Sequence, residues 1–477
     1  MTRRLLNLIE SLGTPRAFVV GDLLLDRYVW GRVNRVSPEA PIQILNVDRE
    51  ELRPGGAGNV ARNLAALGAR VRCAGVVGRD KEGDALVRLL KSCRVDPSAV
   101  LRTSEKPTAV KTRMIAHAQQ MLRVDNENIE PLNGALQRRL AKSVAAAAGR
   151  ADVAVVSDYN KGTLPPAVCA ALIRAFRRRG KPVIVGLKSS DTAKYVGATG
   201  AMLNRGELES LTGLRDVAAA ARKLIARMKL DFVVATLGEK GLQVVDKAGR
   251  SVTLPTAARA VYDVTGAGDT CLAAFAIAHA SGLSLQDCAA VANAAAGVVV
   301  GKVGTEQVDR DELARYVMQD ELHPQRKIVT TRELPEVVRV ERARDRSIVF
   351  TNGCFDVLHA GHVSLLQFSK ARGDVLIVGI NSDRSIRRLK GPGRPVLNER
   401  DRARILAAME AVDYVVVFDE PTPAKLARLI RPDTLVKGED WKGKTVVGRP
   451  HAGRVEFAPI VKGLSTTALV KKIRGGK

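Results

Sequence analysis

Short runs of apolar, β-branched residues alternate along the chain with segments in which apolar residues recur at helical spacing. The runs predict strands, the segments predict helices, and their alternation predicts parallel sheets with helices on both faces. In the first two thirds of the chain the predicted strands are residues 17–20, 72–77, 153–157, 183–185 and 232–236, and the predicted helices are residues 59–67, 84–92 and 141–151.

The last third continues the same α/β pattern. Strands are predicted at residues 347–351, 375–380 and 434–436, and a helix is predicted to follow Gly361. Between residues 108 and 125 polar and apolar residues alternate instead, as in a half-buried strand. This alternation predicts a small separate sheet that serves as a lid.

A polar stretch with a proline, residues 319–327, separates the two halves of the pattern. It predicts one domain at residues 1–320 and a second at residues 328–477, each long enough to bury its own core. Thr330 and Glu333 have the spacing of a capping box, which predicts the first helix of the second domain.

The turn after the strand at residues 347–351 carries concentrated chemistry, because His359 and His362 lie where the next helix begins. A helix N-terminus offers free backbone N–H groups to a phosphate, and imidazoles placed there can donate to its non-bridging oxygens. This arrangement favours attack on an α-phosphate with pyrophosphate as the leaving group. A metal site formed by Cys354 and the two histidines is the alternative, although no fourth ligand cluster lies nearby.

Residues 261–270 form a second motif, in which Gly266, Ala267, Gly268 and Asp269 precede an alanine-rich helical run. Small residues let the backbone close around a phosphoryl group in transfer, and an aspartate can accept a proton from the attacking hydroxyl. A glycine turn with an aspartate cap is the alternative interpretation.

The residues at 21–26, 54–61, 204–207, 236–241 and 261–270 resemble, in that order and spacing, the ribokinase-like sugar kinases. The resemblance implies a three-layer α/β/α domain with a small β lid, with Asp269 as the base beside an anion hole. The implied site residues are Gly266, Ala267 and Gly268 for the anion hole, Asp26, Gly55, Gly56 and Asn59 for the sugar, Asn204 and Glu207 for phosphates and (Glu207 indirectly) magnesium, and Thr236, Gly238, Gly241 and Asn293 for the nucleotide.

Residues 351–363 resemble the HxGH nucleotidyltransferases, which adenylylate or cytidylylate small phosphates. This resemblance implies a Rossmann-like α/β/α domain in which His359 and His362 stabilise the transition state. The implied nucleotide-binding residues are Asn352, Gly353, Lys437, Ser465, Thr466 and Thr467. As an alternative without a ligand, Ser465 would serve as a helix N-cap.

A ribokinase-like domain followed by an HxGH domain resembles the bifunctional heptose-7-phosphate kinase and heptose-1-phosphate adenylyltransferase family of lipopolysaccharide core synthesis. The resemblance implies phosphorylation of D-glycero-β-D-manno-heptose 7-phosphate at O1 by ATP. It also implies adenylyl transfer from ATP to heptose 1-phosphate, which yields ADP-heptose and pyrophosphate. Mg²⁺ is the implied cofactor, a monovalent cation is a second candidate, a homodimer is expected, and a separate phosphatase must act between the steps.

The sequence departs from the kinase pattern in two places, one of which is Met202 and Leu203, where these kinases have a Thr-Pro pair before the asparagine. In the other, the strand at residues 183–185 is followed by Gly186 and Leu187, where these kinases usually have an aspartate before a Pro-Lys-Gly turn. Because Asp269, Asn204 and Glu207 remain, we predict a kinase that is active but slowed by weaker magnesium positioning.

Two glycine motifs imitate other nucleotide sites. Residues 438–445 match the P-loop pattern, but the β-branched residues, glycine and proline that follow prevent the helix that a P-loop requires. Residues 56–61 imitate a dinucleotide fingerprint, but Pro54 interrupts the strand that should lead into it. Neither motif is interpreted as a nucleotide site of its apparent type.

The formal net charge is +26, from 76 Lys and Arg against 50 Asp and Glu, so nucleic-acid binding is an alternative function. Aromatic residues make up only 4% of the chain and no nucleic-acid-binding module is present, so a nucleic-acid partner is not expected. A different sugar kinase joined to a cytidylyltransferase is a further alternative, because the HxGH turn does not choose the base. A scaffold protein with decayed sites is the non-enzymatic one.

The six cysteines show no C-x-x-C pairing, which favours free thiols in a reducing compartment. No apolar run reaches membrane-spanning length, and the apolar stretch at residues 5–9 is too short for a signal peptide. The sequence therefore predicts a cytoplasmic protein with no membrane partner.

Overall fold

The computed structural model describes residues 2–116, 119–188, 190–258, 262–302, 304–321 and 327–459. The chain divides into two compact units, Met1–Met318 and Gln319–Lys477. Each unit is built on its own open sheet. Within the described ranges, none of the helices combines the length and the apolar character needed to cross a bilayer.

The first unit alternates strands and helices, as the sequence predicts. Its strands are β1 (Arg16–Gly21), β2 (Leu23–Val36), β3 (Gln43–Gly56), β4 (Arg70–Gly78), β5 (Val95–Thr103), β6 (Ala109–Ala116), β7 (Gln119–Asn126), β8 (Val153–Asp158), β9 (Val183–Leu187), β10 (Gly200–Asn204), β11 (Phe232–Thr236), β12 (Leu242–Asp246) and β13 (Ser251–Leu254). The helices are α1 (Thr2–Glu10), α2 (Ala57–Ala66), α3 (Lys81–Ser92), α4 (Gly134–Ala147), α5 (Pro166–Arg177), α6 (Arg205–Thr212), α7 (Val217–Met228), α8 (Ala267–Ala280), α9 (Leu285–Val299) and α10 (Arg310–Glu321).

The main sheet of this unit has nine strands in the order β13-β12-β11-β10-β9-β8-β1-β4-β5. The strands from β11 to β5 are parallel, and β12 and β13 add an antiparallel edge. The chain builds outward from β1 to β4 and β5, then crosses to the other side of β1 and continues with β8. The order of strands therefore reverses between β1 and β8, where open α/β sheets characteristically bind ligands.

Helices cover both faces of the main sheet because its strands alternate their side chains between two apolar cores. In β1, Val19 packs into the core that holds α2, α8 and α9, whereas Phe18 and Val20 pack into the core that holds α4, α5 and α7. Such strands are buried on both sides, which is why their sequences are nearly continuous apolar runs.

A separate four-stranded sheet has the order β3-β2-β6-β7. β2 pairs with β3 antiparallel and with β6 in parallel, and Tyr28 of β2 lies opposite Arg113 of β6. The small sheet predicted at residues 108–125 is therefore confirmed. It also contains β2 and β3, which the sequence pattern did not predict.

The second unit contains a six-stranded parallel sheet in the order β14-β17-β16-β15-β18-β19. Its elements are β14 (Ile328–Val329), α11 (Leu334–Ala343), β15 (Ile348–Gly353), α12 (Ala360–Lys370), β16 (Val375–Asn381), α13 (Asp383–Lys390), α14 (Glu399–Ala407), β17 (Tyr414–Phe418), α15 (Ala424–Ile430), β18 (Thr434–Gly438) and β19 (Arg454–Ala458). The strand order reverses between β15 and β18, so the carboxyl ends of these two strands flank the expected crevice.

Two helix boundaries differ from the predicted ones. The alanine-rich helix α4 runs from Gly134 to Ala147 rather than over residues 141–151, because the Asn133 side chain caps its start by accepting from the backbone N–H of Leu136. Thr330 and Glu333 do exchange hydrogen bonds, but a turn intervenes and α11 begins only at Leu334.

Candidate active sites

A cleft of about 1010 Å³ lies at the carboxyl edge of the main sheet in the first unit. The ends of β8, β9, β10 and β11 open into it, as expected for parallel strands that end at one edge. The residues predicted from sequence that line this cleft are Asp26, Gly56, Asn204, Glu207, Thr236, Gly238, Gly241, Gly266, Ala267, Gly268, Asp269 and Asn293. Gly55 and Asn59 do not line it.

Asp269 lies in the first turn of α8, and Gly266 precedes this helix with a left-handed φ of 81°. The Asp269 carboxylate is buried, and burial raises its pKa above the ordinary value. Hydrogen bonds from Asn59 and Tyr159 and the positive charge of Lys188 oppose that rise in pKa. The result is a desolvated carboxylate with raised proton affinity beside a helix N-terminus, which suits a general base.

Asn59 holds Asp269 and does not face the cleft. Its Nδ2 donates to Asp269 Oδ2 at 2.9 Å, and its Oδ1 accepts from Arg62 Nε at 3.0 Å. Gly55 lies beside Asp26, where an added Cβ would be 2.4 Å from the Asp26 Oδ2 atom. The sugar-contact role of both residues stays a prediction; the contacts seen are those of Asn59 with Asp269 and the close approach of Gly55 to Asp26.

Asp26 is buried and forms an ion pair with Arg113, whose Nη1 lies 2.6 Å from Asp26 Oδ1. Arg113 also lines the cleft and places its guanidinium over the Tyr28 ring, 5.3 Å from the centroid. No role for Arg113 was predicted from the sequence. Its position in the alternating segment at residues 108–125 was the only available signal, since the pairing of β6 with β2 depends on the tertiary fold.

Asn204 and Glu207 form a reciprocal capping box at the start of α6. Glu207 N donates to Asn204 Oδ1 at 2.8 Å, and Asn204 N donates to Glu207 Oε2 at 2.7 Å. One oxygen of each side chain is therefore used within the helix cap. The side-chain nitrogen of Asn204, Nδ2, and the second carboxylate oxygen of Glu207 are not used in this cap and could contact a ligand in the cleft.

The other predicted nucleotide residues surround the same end of the cleft. Gly241 has a φ of 89°, and an added Cβ there would be 2.0 Å from the carbonyl oxygen of Leu254, so no larger residue fits without a backbone shift. Asn293 donates through Nδ2 to the carbonyl oxygen of Pro255 at 2.7 Å. Thr236 ends β11 and Gly238 follows it.

Gly186, one of the positions that depart from the kinase pattern, lies within β9 and lines the cleft. An added Cβ there would be 2.6 Å from Cδ2 of Leu272. Leu272 therefore occupies part of the space that a larger side chain would need. Lys188, two residues later, extends over the Tyr159 ring with Nζ 4.1 Å from its centroid.

In the second unit the carboxyl ends of β15 and β18 lie side by side at the point where the strand order of the sheet reverses. Asn352 and Gly353 end β15, and Lys437 near the end of β18 donates through Nζ to Asn352 Oδ1 at 2.6 Å. Burial lowers the pKa of Lys437 to about 8. The Trp441 ring lies 5.0 Å from the Lys437 ammonium. This places a desolvated cation at the crevice between the two strands.

His359 and His362 lie at the start of α12 with their rings stacked, 3.9 Å between centroids. Burial lowers the pKa of both, and for His362, with the charges of His359 and Lys390, to about 4. Their Nδ1 atoms are buried and have no hydrogen-bond partner among the described residues. Two neutral imidazoles with unused polar atoms at a helix N-terminus are suited to contact phosphate oxygens.

The turn that carries the histidines is fixed by Arg402, which is fully buried. Arg402 donates to the carbonyl oxygens of Cys354 and Leu397 at 2.7 and 3.0 Å, and to Asp383 Oδ1 at 2.7 Å. The alternative metal site at Cys354 gains no support, because no group of three or more His, Cys, Asp or Glu side chains that could hold a metal occurs in the described ranges. Ser465, Thr466 and Thr467 lie outside the described residues.

Comparison with known proteins matches residues 15–311 to the pfkB family of carbohydrate kinases and residues 350–467 to the cytidylyltransferase-like family. The bifunctional protein HldE of Syntrophotalea carbinolica is 45% identical over 476 residues, which cover 98% of this chain and 97% of that protein. The chain belongs to the HldE family. The HldE of Geobacter metallireducens is likewise 45% identical, over 96% of this chain and 95% of its own length.

Solved structures show the fold of the kinase part. Escherichia coli phosphofructokinase-2 in complex with potassium aligns with a TM-score of 0.54 at 21% identity, covering 64% of this chain and 99% of that one. Arabidopsis thaliana ribokinase complexed with ribose and ATP aligns with a TM-score of 0.51 at 22% identity and the same coverage. The predicted fold class and the predicted family are confirmed, and the chain is a bifunctional enzyme that combines a carbohydrate kinase with a nucleotidyltransferase.

Proposed function

We propose that residues 1–320 phosphorylate D-glycero-β-D-manno-heptose 7-phosphate at O1, and that residues 328–477 transfer an adenylyl group from ATP to heptose 1-phosphate. The observation that carries this proposal is the pairing of two complementary sites in one HldE-family chain. The buried carboxylate of Asp269 is suited to activate a sugar hydroxyl, and the histidine pair with Lys437 is suited to receive a nucleoside triphosphate.

In the first reaction the Asp269 carboxylate accepts the proton of the O1 hydroxyl. The O1 electron pair forms a bond to the γ-phosphorus of ATP, the bond from that phosphorus to its bridging oxygen breaks, and ADP leaves. Backbone N–H groups of Gly266, Ala267 and Gly268, at the N-terminus of α8, receive the charge that develops on the transferred group. The product is a heptose 1,7-bisphosphate.

A phosphorylated sugar is favoured by the charges at the lid end of the cleft. Four cations line this end, Lys111, Arg113, Arg123 and Lys161, and they form ion pairs with three carboxylates, Asp26, Asp125 and Glu127, so the cations exceed their partners by one. Three of the four side chains are largely withdrawn from solvent, with 14%, 11% and 21% exposure for Lys111, Arg113 and Lys161. Partly desolvated cations attract a phosphate more strongly than exposed ones do.

Magnesium fits the donors at the nucleotide end of the cleft. Glu207 spends one carboxylate oxygen on the helix cap and keeps the second, and Glu239 also lines the cleft. Mg²⁺ is commonly held by one or two carboxylates together with substrate phosphates, so the absence of a larger ligand cluster in the described residues agrees with this use. When bound, the ion would neutralise phosphate charge.

In the second reaction the nucleophile is a phosphate oxygen of heptose 1-phosphate, which is already ionised and needs no base. It attacks the α-phosphorus of ATP, the bond to the β-phosphate oxygen breaks, and pyrophosphate leaves. His359 and His362 donate to the oxygens of the phosphorus under attack, and Lys437 holds the triphosphate. Ser465, Thr466 and Thr467 are proposed, from the family resemblance, to complete the phosphate contacts.

The two reactions do not connect directly, because the first product has two phosphates and the second substrate has one. A separate phosphatase that removes the 7-phosphate is therefore part of the proposal. The proposed end product is ADP-heptose for the lipopolysaccharide core. A homodimer and a monovalent cation near the kinase site are proposed on the family resemblance alone.

The proposal is tested by ³¹P NMR of the full chain with Mg²⁺ and ATP, run separately on heptose 7-phosphate and heptose 1-phosphate. We expect the bisphosphate in the first sample, and ADP-heptose with pyrophosphate in the second. A third sample with CTP and heptose 1-phosphate is expected to give no product. Formation of CDP-heptose would instead assign a cytidylyltransferase, and failure of both ATP samples would contradict the proposal.

A further inference from the structure

Tyr159, which directly follows β8, contacts the predicted base, although no role was predicted for it from the sequence. Its hydroxyl donates to Asp269 Oδ1 at 2.8 Å, while Asn59 Nδ2 donates to the other oxygen, Oδ2, at 2.9 Å. Each oxygen of the Asp269 carboxylate therefore accepts one hydrogen bond from a separate part of the fold. With both oxygens held, the carboxylate cannot rotate freely about its Cβ–Cγ bond, and each oxygen keeps a second lone pair.

The backbone around Tyr159 is itself held in one conformation. The buried Asp22 carboxylate, just after β1, accepts backbone N–H groups of Tyr159, Lys161 and Thr163 at 2.8, 3.0 and 3.3 Å. Asp158 Oδ1 accepts the backbone N–H of Asn160 at 2.9 Å. This loop lies at the reversal point between β1 and β8, so the two central strands of the sheet jointly fix the position of the Tyr159 ring.

Charged groups from three further elements face this pair. Lys188, after β9, places its ammonium 4.1 Å from the centroid of the Tyr159 ring, a cation–π contact. The negative charge of Asp26 in β2 raises the pKa of both Asp269 and Tyr159, and that of Glu207 in α6 raises the pKa of Tyr159. Burial and the neighbouring carboxylates raise the pKa of Tyr159, so its hydroxyl stays protonated and remains a hydrogen-bond donor to Asp269.

We propose that Tyr159 is a positioning residue of the kinase reaction, which orients the Asp269 carboxylate so that a free lone pair meets the sugar hydroxyl. This inference rests on the proposed function of Asp269 as the base. The Tyr159 hydrogen bond also favours the ionised carboxylate against the effect of burial, and only the ionised form can accept the proton. Lys188 supports the same state through its charge and holds the ring.

The test is Tyr159→Phe in the full chain, with heptose 7-phosphate and ATP as substrates. Loss of one hydrogen bond to a charged group is expected to lower kcat by about tenfold or more. The KM for ATP is expected to stay unchanged, because Tyr159 acts on the base. The acid limb of the kcat/KM profile is expected to move to higher pH, since the carboxylate loses a donor that favours its charged form.

Tyr414→Phe is the matched control, because Tyr414 belongs to the second unit and donates its hydroxyl to another buried carboxylate, Glu341 Oε1, at 2.9 Å. It does not line the cleft. Lys188→Gln is the second variant. It removes an exposed charge without a cavity, and we expect the acid limb to move in the same direction with a smaller loss of kcat.

Each outcome of these kinase assays either supports or overturns the positioning role of Tyr159. If Tyr159→Phe keeps both kcat and the acid limb of the unaltered protein, or if Tyr414→Phe shifts that limb equally, the positioning role is wrong. If Tyr159→Phe does not fold, an unmoved acid limb in Lys188→Gln overturns it. Absence of kinase turnover in the unaltered protein overturns the proposed function, and this inference with it, whereas a normal unaltered protein with an indifferent Tyr159→Phe variant overturns the inference alone.

Discussion

The kinase site and the nucleotidyltransferase site occupy the same place in their respective sheets, but the ionisable groups buried in them are of opposite kind. The first site buries an acid, Asp269, and burial raises its pKa. The second holds two bases, the buried Lys437 and the half-buried His362, and loss of solvent lowers their pKa to about 8 and about 4. Desolvation disfavours the charged form in both sites. It strengthens the proton affinity of the acid in the first site and weakens that of the bases in the second.

The difference follows from the nucleophiles. A sugar hydroxyl is neutral and must lose a proton as it attacks, so its site needs a base of raised proton affinity. A sugar phosphate is already an anion, so its site needs hydrogen-bond donors and positive charge instead. The same position in two sheets thus supports two different reactions, because each sheet places different titratable groups there.

The loops that carry the two sites are also held by buried charges of opposite sign. Asp22 accepts three backbone N–H groups from the loop of Tyr159. Arg402 donates to the backbone carbonyl oxygen of Cys354, in the loop of the histidines, and to that of Leu397, just before α14. In each unit a buried ionic side chain thus satisfies backbone atoms that the loop leaves unpaired.

Removing the base should separate the two activities most strongly. We expect Asp269→Asn to lower the kinase kcat by roughly a hundredfold to ten-thousandfold, because the amide cannot accept the proton, and to leave adenylyl transfer unchanged. Both rates are measured on one preparation by coupled assays for ADP and pyrophosphate. A kinase rate within threefold of the unaltered protein, a margin of about 0.7 kcal/mol, would falsify the assignment of the base.

Removing either imidazole should give the reverse pattern. His359→Ala and His362→Ala are each expected to lower the adenylyl-transfer kcat by roughly a hundredfold to a thousandfold, since each removes a donor to the charge of the transition state, and to spare the kinase. His451→Ala is the control, because His451 is an exposed histidine of the same unit. Equal losses in all three variants would show that the effect is not specific to the site.

Breaking the buried ion pair of Arg402 should destabilise the second unit. Arg402→Met leaves Asp383 and two backbone carbonyl oxygens without their donor, and we expect the free energy of unfolding to fall by roughly 3–5 kcal/mol. Urea unfolding followed by Trp441 fluorescence in a Trp30→Phe background reports on this unit. The control Arg384→Met removes a mostly exposed pair with Asp419 and should cost at most about 1 kcal/mol. Similar costs for both variants would contradict the role of Arg402.

Restoring a carboxylate at residue 186 should have the smallest effect. The Gly186→Asp side chain requires Leu272 to move, because Cδ2 of Leu272 lies 2.6 Å from the added Cβ, but that atom is the end of a flexible side chain. We expect the Mg²⁺ concentration for half-maximal kinase activity to fall by less than about tenfold, equivalent to about 1.4 kcal/mol. Gly186→Asn matches the size without the charge. If the two variants respond alike, the carboxylate has no part in magnesium positioning.

The sequence predicted what local pattern determines. Strands buried on both faces are visible as apolar runs. The residues at their carboxyl ends converge within each sheet, Asn204 with Thr236 in the first unit and Asn352 with Lys437 in the second, because parallel strands end at one edge. The motifs around Gly266 and His359 could also be found from the sequence, because the residues of each motif are neighbours along the chain.

Contacts between distant segments could not be predicted in this way. Asn59 and Tyr159 meet Asp269 across 210 and 110 residues, and only the strand order brings them together. One signal for Asn59 was present: with Arg62 and Asn63 it places polar side chains at helical spacing on α2, which is otherwise apolar. Buried polar residues on one helix face need partners, and here the partners include Asp269, the proposed base. The turn residues near Arg402 offered no comparable signal.

The most direct test of the contrast between the sites is a pair of pH profiles of kcat/KM for ATP, one for each reaction, measured on the same protein. The kinase profile should fall on the acid side, where Asp269 becomes protonated and can no longer accept a proton. The adenylyl-transfer profile should fall on the alkaline side, as pH rises through about 8 and Lys437 loses its charge, while His362 stays neutral throughout. Profiles that fall on the same side, or an adenylyl-transfer rate that is flat from pH 7 to pH 9.5, a range that spans that Lys437 pKa of about 8, would contradict the account.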